Sequence, residues 1–214
     1  RGSARTFRYR PAKSPPFRGR RNWPATARRK EYDCPSSGST GSANGDGWVM
    51  HLDEDGGVVW DKNYGGTHCD WFDTVIQGLD GGYILTGNSS SGTSSYYDGN
   101  SWIVRLNEDG SMDWERKDVI DAEFLKIAAS IEENYYYTVG TRQRTSGCSE
   151  DLWISKLDVD GSITWQKSFS NATCENRGSG IVLVQGGGCI AVGYQWNVSN
   201  ANTFPIVRLD SAGE

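Results

Sequence analysis

A short tryptophan-containing segment occurs three times in the chain, about every 52 residues. Each copy has a tryptophan, a run of alternating side chains, an acidic turn closed by glycine, and a second tryptophan. The copies begin at Trp48, Trp102 and Trp153, and a fourth copy near residue 205 has proline at the first tryptophan position. A fixed period of this size indicates one supersecondary unit repeated along the chain. The sequence therefore predicts a repeat architecture.

Each copy has the pattern of a β-hairpin. In the second copy, alternation places Trp102, Val104 and Leu106 on one face of a strand, and a glycine with left-handed backbone closes the turn. A three-residue loop pairs Leu106 with Met112 and Val104 with Trp114 in this register. The hairpin is therefore predicted to place both tryptophans of a copy on the same face as the leucine.

Two further strand patterns follow each hairpin, so we expect four short strands per repeat. They cover about residues 74–77 and 83–87, then 126–130 and 135–140, then 180–184 and 189–193. Four antiparallel strands in about 50 residues form the blade of a β-propeller. The predicted fold class is all-β, with about three blades of a larger ring, because a propeller typically has about four to eight blades. We therefore expect the chain to be part of a longer protein.

Two segments resemble a known family. Trp153–Lys167 reads W-I-S-K-L-D-V-D-G-S-I-T-W-Q-K, and Asp80–Gly87 reads D-G-G-Y-I-L-T-G. Both resemble the repeats of large secreted or surface-anchored bacterial β-propeller proteins, and the likeness covers about residues 45–214. The second repeat departs from the pattern, since Glu132–Asn134 replaces the glycine turn. The resemblance implies a propeller fold and a secreted or cell-surface location, and it implies little about function because most of those proteins have no assigned activity.

The main functional hypothesis is a non-catalytic scaffold for protein or carbohydrate interaction. The repeated residues are structural, whereas the variable residues fall in loops at about 88–100, 142–150 and 195–203. These loops contain aromatic and amide side chains that suit such contacts. The candidate binding residues are Tyr96, Tyr97 and Trp196. No catalytic or cofactor-binding residues are assigned. A purely structural spacer remains an alternative.

The enzyme alternative is a fragment of a propeller enzyme whose catalytic residues lie outside the chain. Leu157–Trp165 resembles the blades of quinoprotein dehydrogenases, in which the tryptophan docks adjacent blades. An active quinoprotein would be expected to add cofactor-binding residues, often including adjacent cysteines, and this sequence has none. Asp55–Trp60 fits the D-x-G-x-x-W of the sialidase Asp-box, but the later copies break that pattern. Both enzyme classes are therefore less favoured than the scaffold.

Charge divides the chain into two segments. Residues 1–30 contain 11 of the 22 lysines and arginines and no acidic residue, so a basic leader is predicted at 1–33, disordered or foreign to the fold. The remaining residues carry all 27 acids, which argues against nucleic-acid binding by the repeat region at 34–214. No stretch approaches the roughly 18 apolar residues that span a bilayer.

Several acidic and histidine side chains are candidate metal ligands. Carboxylates at the turns supply oxygen ligands suited to calcium, at Asp53, Asp55, Asp109, Asp158 and Asp160. We favour the interpretation that each aspartate stabilises its own turn, since D-x-D-G supplies too few ligands. His51 occupies the position of Arg105, Lys156 and Arg208, so we predict cross-strand pairing for it. His68-Cys69-Asp70 is a weak metal candidate because consecutive side chains on an extended chain point apart.

The cysteines and three sequons suggest an oxidising compartment. The hairpin register places Cys148 two residues from the position opposite Cys174, which predicts a Cys148–Cys174 disulfide. A Cys34–Cys69 pair is a looser alternative, and Cys189 is predicted to be buried in a strand. The sequons, all in polar segments interpreted as loops, give the candidate glycosylation sites Asn88, Asn171 and Asn197.

Overall fold

The computed structural model describes residues 26–29, 45–79, 81–91, 100–117, 122–130, 134–143, 150–170, 174–197 and 204–214, with side chains omitted at 26–29, 122–125, 143, 174–175 and 196–197. Within these ranges the chain forms strands and no helix, and so contains no helix that could cross a membrane. The all-β prediction is confirmed. The strands are β1 (Thr26–Arg29), β2 (Gly47–Leu52), β3 (Val58–Tyr64), β4 (Asp70–Gln77), β5 (Tyr83–Ser89), β6 (Asn100–Leu106), β7 (Met112–Arg116), β8 (Ala122–Ser130), β9 (Tyr135–Gln143), β10 (Glu150–Leu157), β11 (Ile163–Phe169), β12 (Cys174–Leu183), β13 (Cys189–Asn197) and β14 (Ile206–Leu209).

The described strands form four antiparallel sheets in which consecutive strands are neighbours. Sheet I contains β1–β3, sheet II β4–β7, sheet III β8–β11 and sheet IV β12–β14. Strand β1 pairs with β2 although the sequence places residues 26–29 in a leader outside the fold. Residues 26–29 therefore lie in sheet I, and the domain boundary at residue 33 stays a prediction.

The sheets do not start where the sequence repeats start. The tryptophan hairpin of the second copy, β6–β7, pairs with β5, and Leu85 lies opposite Val104. The hairpin therefore forms the third and fourth strands of a sheet that begins with β4. The prediction that the two strands after each hairpin complete its own sheet is wrong, because a tandem repeat gives its period but not the point at which one sheet ends.

A β-bulge changes the register inside each hairpin. Leu106 pairs with Met112, as predicted, but the next pair is Arg105 with Trp114, so Asp113 is an extra residue on β7. The same shift occurs between β2 and β3 and between β10 and β11. An extra residue moves the following side chains to the other face of the sheet. The prediction that both tryptophans of a copy share one face is therefore wrong.

Consecutive sheets pack face to face through three apolar clusters. The first cluster joins sheets I and II through Val49 and Tyr64 of sheet I. Within sheet II, the Trp102 ring stacks on Phe72 with centroids 4.4 Å apart. The second joins sheets II and III around Trp153, and the third joins sheets III and IV around Ile154. Trp102 and Trp153 face the preceding sheet, whereas the second tryptophan of a hairpin, such as Trp114, faces the following one. The two faces of a sheet therefore make different contacts, one with the preceding sheet and one with the following sheet.

Candidate functional site

The first aspartate of an acidic turn stabilises the turn by accepting hydrogen bonds from its backbone N–H groups. One Asp53 carboxylate oxygen accepts the backbone N–H groups of Asp55 at 3.0 Å and Gly57 at 2.6 Å. At the last turn, the Asp210 carboxylate accepts the backbone N–H groups of Ala212 and Glu214. These contacts are the ones expected of aspartates that stabilise their own turns.

The third residue of a turn makes a similar contact. The Asp109 carboxylate accepts the Ser111 hydroxyl at 2.6 Å and the Ser111 N–H at 2.8 Å, and these bonds lower the pKa of Asp109. The Ser162 N–H acts likewise and lowers the pKa of Asp160. Both carboxylates stay charged at neutral pH, and their bonds are made within the hairpin.

The second tryptophan of a hairpin clasps the turn of the next sheet. The Trp60 indole N–H donates to the Glu108 carbonyl at 2.9 Å, and the Trp165 indole N–H donates to the Ser211 carbonyl at 3.1 Å. The ring lies against the turn glycine, because a Cβ on Gly110 would be 3.0 Å from the carbons of the Trp60 ring. The repeated tryptophan and glycine are therefore two parts of one contact between sheets.

A basic residue two positions after that tryptophan completes the clasp. Lys62 donates to a backbone carbonyl of the second turn at 2.9 Å. The Arg116 guanidinium donates to the Ser162 hydroxyl at 3.2 Å, and the Lys167 ammonium binds the Glu214 carboxylate at 3.0 Å. Each partner belongs to the turn of the following sheet. The repeated tryptophans and bases are thus occupied in joining sheets.

The members of the basic stripe on sheets II and III are buried, whereas Arg208 on sheet IV is exposed. Arg105 is buried and donates to the Leu106 carbonyl at 2.7 Å, and Lys156 lies 4.0 Å above the Tyr135 ring. His51 packs edge-on against the ring of the second tryptophan of its hairpin, with centroids 5.5 Å apart. Trp60 lies directly opposite His51 on the neighbouring strand, so this contact is the cross-strand pairing predicted for His51.

The opposite end of the sheets holds the connections in which the candidate binding residues fall. We call it the loop end, defined by the last residues of β5, β9 and β13 and the first residues of β6 and β10. Tyr96 and Tyr97 lie outside the described residues. Trp196 lies within β13, opposite Glu175, so the prediction that it belongs to a loop is wrong, and its side chain is not described.

A buried carboxylate organises the loop end of sheets I and II. Asp70 is 3% exposed, and its carboxylate accepts the Ser89 hydroxyl, the Ser91 hydroxyl at 2.7 Å and the Gly66 N–H at 2.8 Å. Burial, and then the charge of Asp70, raise the pKa of the neighbouring Asp46. These bonds fix the chain that enters β4 to the chain that leaves β5.

An ion pair organises the loop end of sheets III and IV. The Arg177 guanidinium binds both carboxylate oxygens of Glu150, and the Nη2–Oε1 distance is 2.8 Å. Burial opposes the charged guanidinium, but the hydrogen bonds and charge of Glu150 outweigh it and raise the pKa of Arg177. Next to this pair, Gln195 donates to the Asn176 side chain at 2.8 Å. The pair fixes the start of β10 against β12 on the next sheet.

Sequence reasoning does not identify these two polar clusters. Asp70 appears in the sequence only as the last residue of a weak metal candidate, and Glu150 and Arg177 carry no motif. The residues of each cluster are separated by about 20 residues and meet only through strand pairing and sheet packing. Position at a strand end, which places several polar side chains on one rim, is the signal that would have indicated them.

The candidate glycosylation sites occupy unequal positions. Asn88 lies within β5 and is 1% exposed, so the prediction that it lies in a loop is wrong. Its short sequon is polar like a loop, but the segment is a strand between two packed sheets. Asn197 is the last residue of β13, with its side chain not described, and Asn171 lies outside the described residues.

The cysteine predictions are only partly covered by the structure. Cys148 lies outside the described residues, and Cys174 begins β12 with its side chain not described, so their disulfide stays a prediction. Cys69 is buried and disulfide-bonded, and Cys189 is buried in β13, as predicted. The His68 ring lies 3.1 Å from the Thr67 hydroxyl. Among the described residues, no three acidic, histidine or cysteine side chains form a metal-binding group.

Comparison with known proteins assigns no family to the chain. No family model matches it, and a search of the curated proteins likewise finds no match.

Proposed function

We propose that the chain is a section of a β-propeller that acts as a non-catalytic interaction scaffold, outside the cell or on its surface. The proposal rests on one observation: each sheet docks on the next through the same tryptophan, base and glycine-turn contact. Repetition of one contact between successive sheets generates a regular array. Four-stranded antiparallel sheets arrayed in this way are the blades of a propeller.

The repeated side chains and the loop-end side chains make different contacts, and this difference supports a binding role at the loop end. The repeated residues of each hairpin are used to join sheets, so they are unavailable to a ligand. The loop end is instead built on buried polar clusters around Asp70 and around the Glu150–Arg177 pair. Such clusters hold the strand ends rigidly while the connecting loops vary, which is the usual arrangement of a binding surface.

The extracellular part of the proposal has a chemical basis. Disulfides persist in oxidising compartments, and Cys69 is disulfide-bonded. The resemblance of the repeats to secreted and surface-anchored bacterial propeller proteins points to the same location. The ligand class we propose is protein or carbohydrate, because aromatic and amide side chains in the loops suit both.

Loop-end binding is tested with alanine at Tyr96, Tyr97 and Trp196 and a matched control. The wild-type chain is applied to a glycan array and to a pull-down from labelled cell-surface proteins. We expect the three alanine variants to reduce the strongest signal at least tenfold. Met112→Ala is the control, because Met112 is an exposed apolar residue at the far end of sheet II. Absence of any wild-type signal, or equal loss with the control, would refute loop-end binding.

A further inference from the structure

Sheet II presents buried polar side chains to sheet III. Ile84 belongs to the apolar cluster between these two sheets, and Thr86 and Asn88 follow it at alternate positions of β5. Alternate residues of a strand share a face, so both side chains point toward sheet III. Thr86 is 0% exposed and Asn88 is 1% exposed. A hydroxyl and an amide therefore lie inside the contact between the two sheets.

Sheet III presents polar side chains on the facing surface. Ser155 alternates along β10 with Trp153 and Leu157, which belong to the same apolar cluster. Thr138 lies opposite Ser155 on β9, and the two hydroxyl oxygens are 2.6 Å apart. Both residues are 0% exposed. A pair of hydroxyl groups uses one hydrogen in its mutual bond, so the other hydrogen is left for a further acceptor.

The fold itself does not need a hydroxyl at these positions. Val139 occupies in sheet III the register position of Thr86, because each lies opposite the isoleucine that follows the first tryptophan of a hairpin. Leu85 occupies in sheet II the register position of Thr138, one residue further along the third strand. Val139 and Leu85 are 0% exposed and belong to the apolar clusters of the neighbouring contacts. The contact between sheets II and III is therefore polar where its neighbours are apolar.

The polar groups on sheet II have hydrogen-bonding capacity that the surrounding strands do not use. Among the described residues, none bonds to the Thr86 hydroxyl or to the nitrogen or oxygen of the Asn88 amide. A hydroxyl and an amide each donate and accept, so the species that satisfies them must do both. That species must also be uncharged, because a buried ion needs an opposite charge and none of these side chains carries one.

We propose that ordered water, bound by Thr86, Asn88 and the Thr138–Ser155 pair, links sheets II and III. Water is the smallest species that both donates and accepts hydrogen bonds, and a buried water typically has about three partners. Thr86 and Asn88 supply partners from one sheet, and the hydroxyl pair supplies them from the other. The inference concerns the contact between two sheets, so it does not depend on the proposed binding role of the loop end.

Magnetic relaxation dispersion of the water oxygen nucleus tests the proposal, because it detects water that stays bound for longer than the protein takes to tumble. Thr86→Val and Thr138→Val each remove one hydroxyl with little change of shape, and we expect each variant to lose long-lived water. The double variant should lose less than the sum of the two losses, because both side chains hold the same water. Thr164→Val is the matched control and should lose none, since Thr164 is exposed and Val59 holds the equivalent bulge position of sheet I.

The sign of the change in stability gives an independent readout. Thr86→Val should lower the urea midpoint if its hydroxyl holds water, whereas removal of a buried hydroxyl without any partner would raise it. Thr86→Ser keeps the hydroxyl and should keep the wild-type dispersion. A dispersion that neither valine variant reduces, a double loss equal to the sum, or a higher midpoint for Thr86→Val would overturn the proposal. Thr138→Val, on the facing sheet, decides the water measurement alone should Thr86→Val fail to fold.

Discussion

Alanine at the turn glycines measures how tightly each turn is held by the neighbouring sheet. Gly56, Gly110 and Gly161 have the same left-handed backbone, with φ of 83°, 75° and 79°. Alanine therefore imposes a similar backbone cost at each, about 1–2 kcal/mol. Their surroundings differ. A Cβ would meet nothing within 4 Å at Gly56, the Trp60 ring at 3.0 Å at Gly110, and the Trp114 ring at 2.5 Å at Gly161.

The expected costs follow from these distances. Gly56→Ala should lower the free energy of unfolding by the backbone term alone, about 1–2 kcal/mol. Overpacking adds about 1–3 kcal/mol where a methyl group collides with a fixed neighbour. Gly161→Ala, with the closest contact, should therefore cost about 2–5 kcal/mol. Gly110→Ala should fall between the other two, because its methyl contact is tight but not overlapping.

Urea unfolding followed by tryptophan fluorescence and by far-ultraviolet circular dichroism gives the free energies for the three variants. Thermal midpoints should follow the same order, by about 2–4 °C per kcal/mol for a chain of this size. The decisive quantity is the difference between Gly161→Ala and Gly56→Ala, in which the common backbone cost cancels. Equal destabilisation by these two substitutions would show that the tryptophan does not hold the turn.

Substitutions at three further positions test contacts at both ends of the sheets. Burial, with the charge of Asp109, raises the pKa of Tyr64 to about 12, above about 10 in an unfolded chain. The stability that neutral Tyr64 provides is therefore complete below about pH 10 and is lost as the pH rises toward about 12. Tyr64→Phe should abolish this loss of stability at alkaline pH, as measured by urea unfolding at several pH values. Asp53→Ala should cost about 1 kcal/mol in the same assay, and Asp53→Asn should restore most of it because an amide oxygen still accepts the turn N–H groups. Glu150→Ala should cost about 2 kcal/mol by removing the bonds to Arg177, and an unchanged midpoint would refute that role.

The strand content of the chain is predictable from its sequence because hydrophobic alternation and glycine turns are local signals. Leu106 opposite Met112 follows directly from the length of the turn. The next pair does not, because Asp113 looks like an ordinary outward-facing residue of an alternating strand. Only contact with the following sheet distinguishes a bulge there, since the extra residue turns Trp114 toward that sheet. The register beyond the bulge is thus a tertiary property.

The loop end is less predictable for a related reason. The polar run from Asn88 to Ser91 has the composition of a loop, yet its first two residues end a strand buried between sheets. A three-residue glycosylation motif does not show whether its asparagine is buried. Asn88 therefore matches the motif although its position is unsuited to a glycan. Asp70 acquires its role only when strand pairing brings Ser89 beside it. Sequence periodicity predicts the strands, and sheet packing determines which polar residues meet.

The bulge also gives the array a direction. With both tryptophans on one face, a sheet would have one apolar binding face and one face without tryptophan. The apolar faces of two sheets could then pair symmetrically. The bulge instead gives each sheet a face with the first tryptophan and the glycine turn, and an opposite face with the second tryptophan and the base. Faces of the same kind do not complement each other, because both present a tryptophan clasp or both present a turn. Sheets of this type therefore add only head to tail, so that the face carrying the second tryptophan of one sheet always meets the glycine turn of the next.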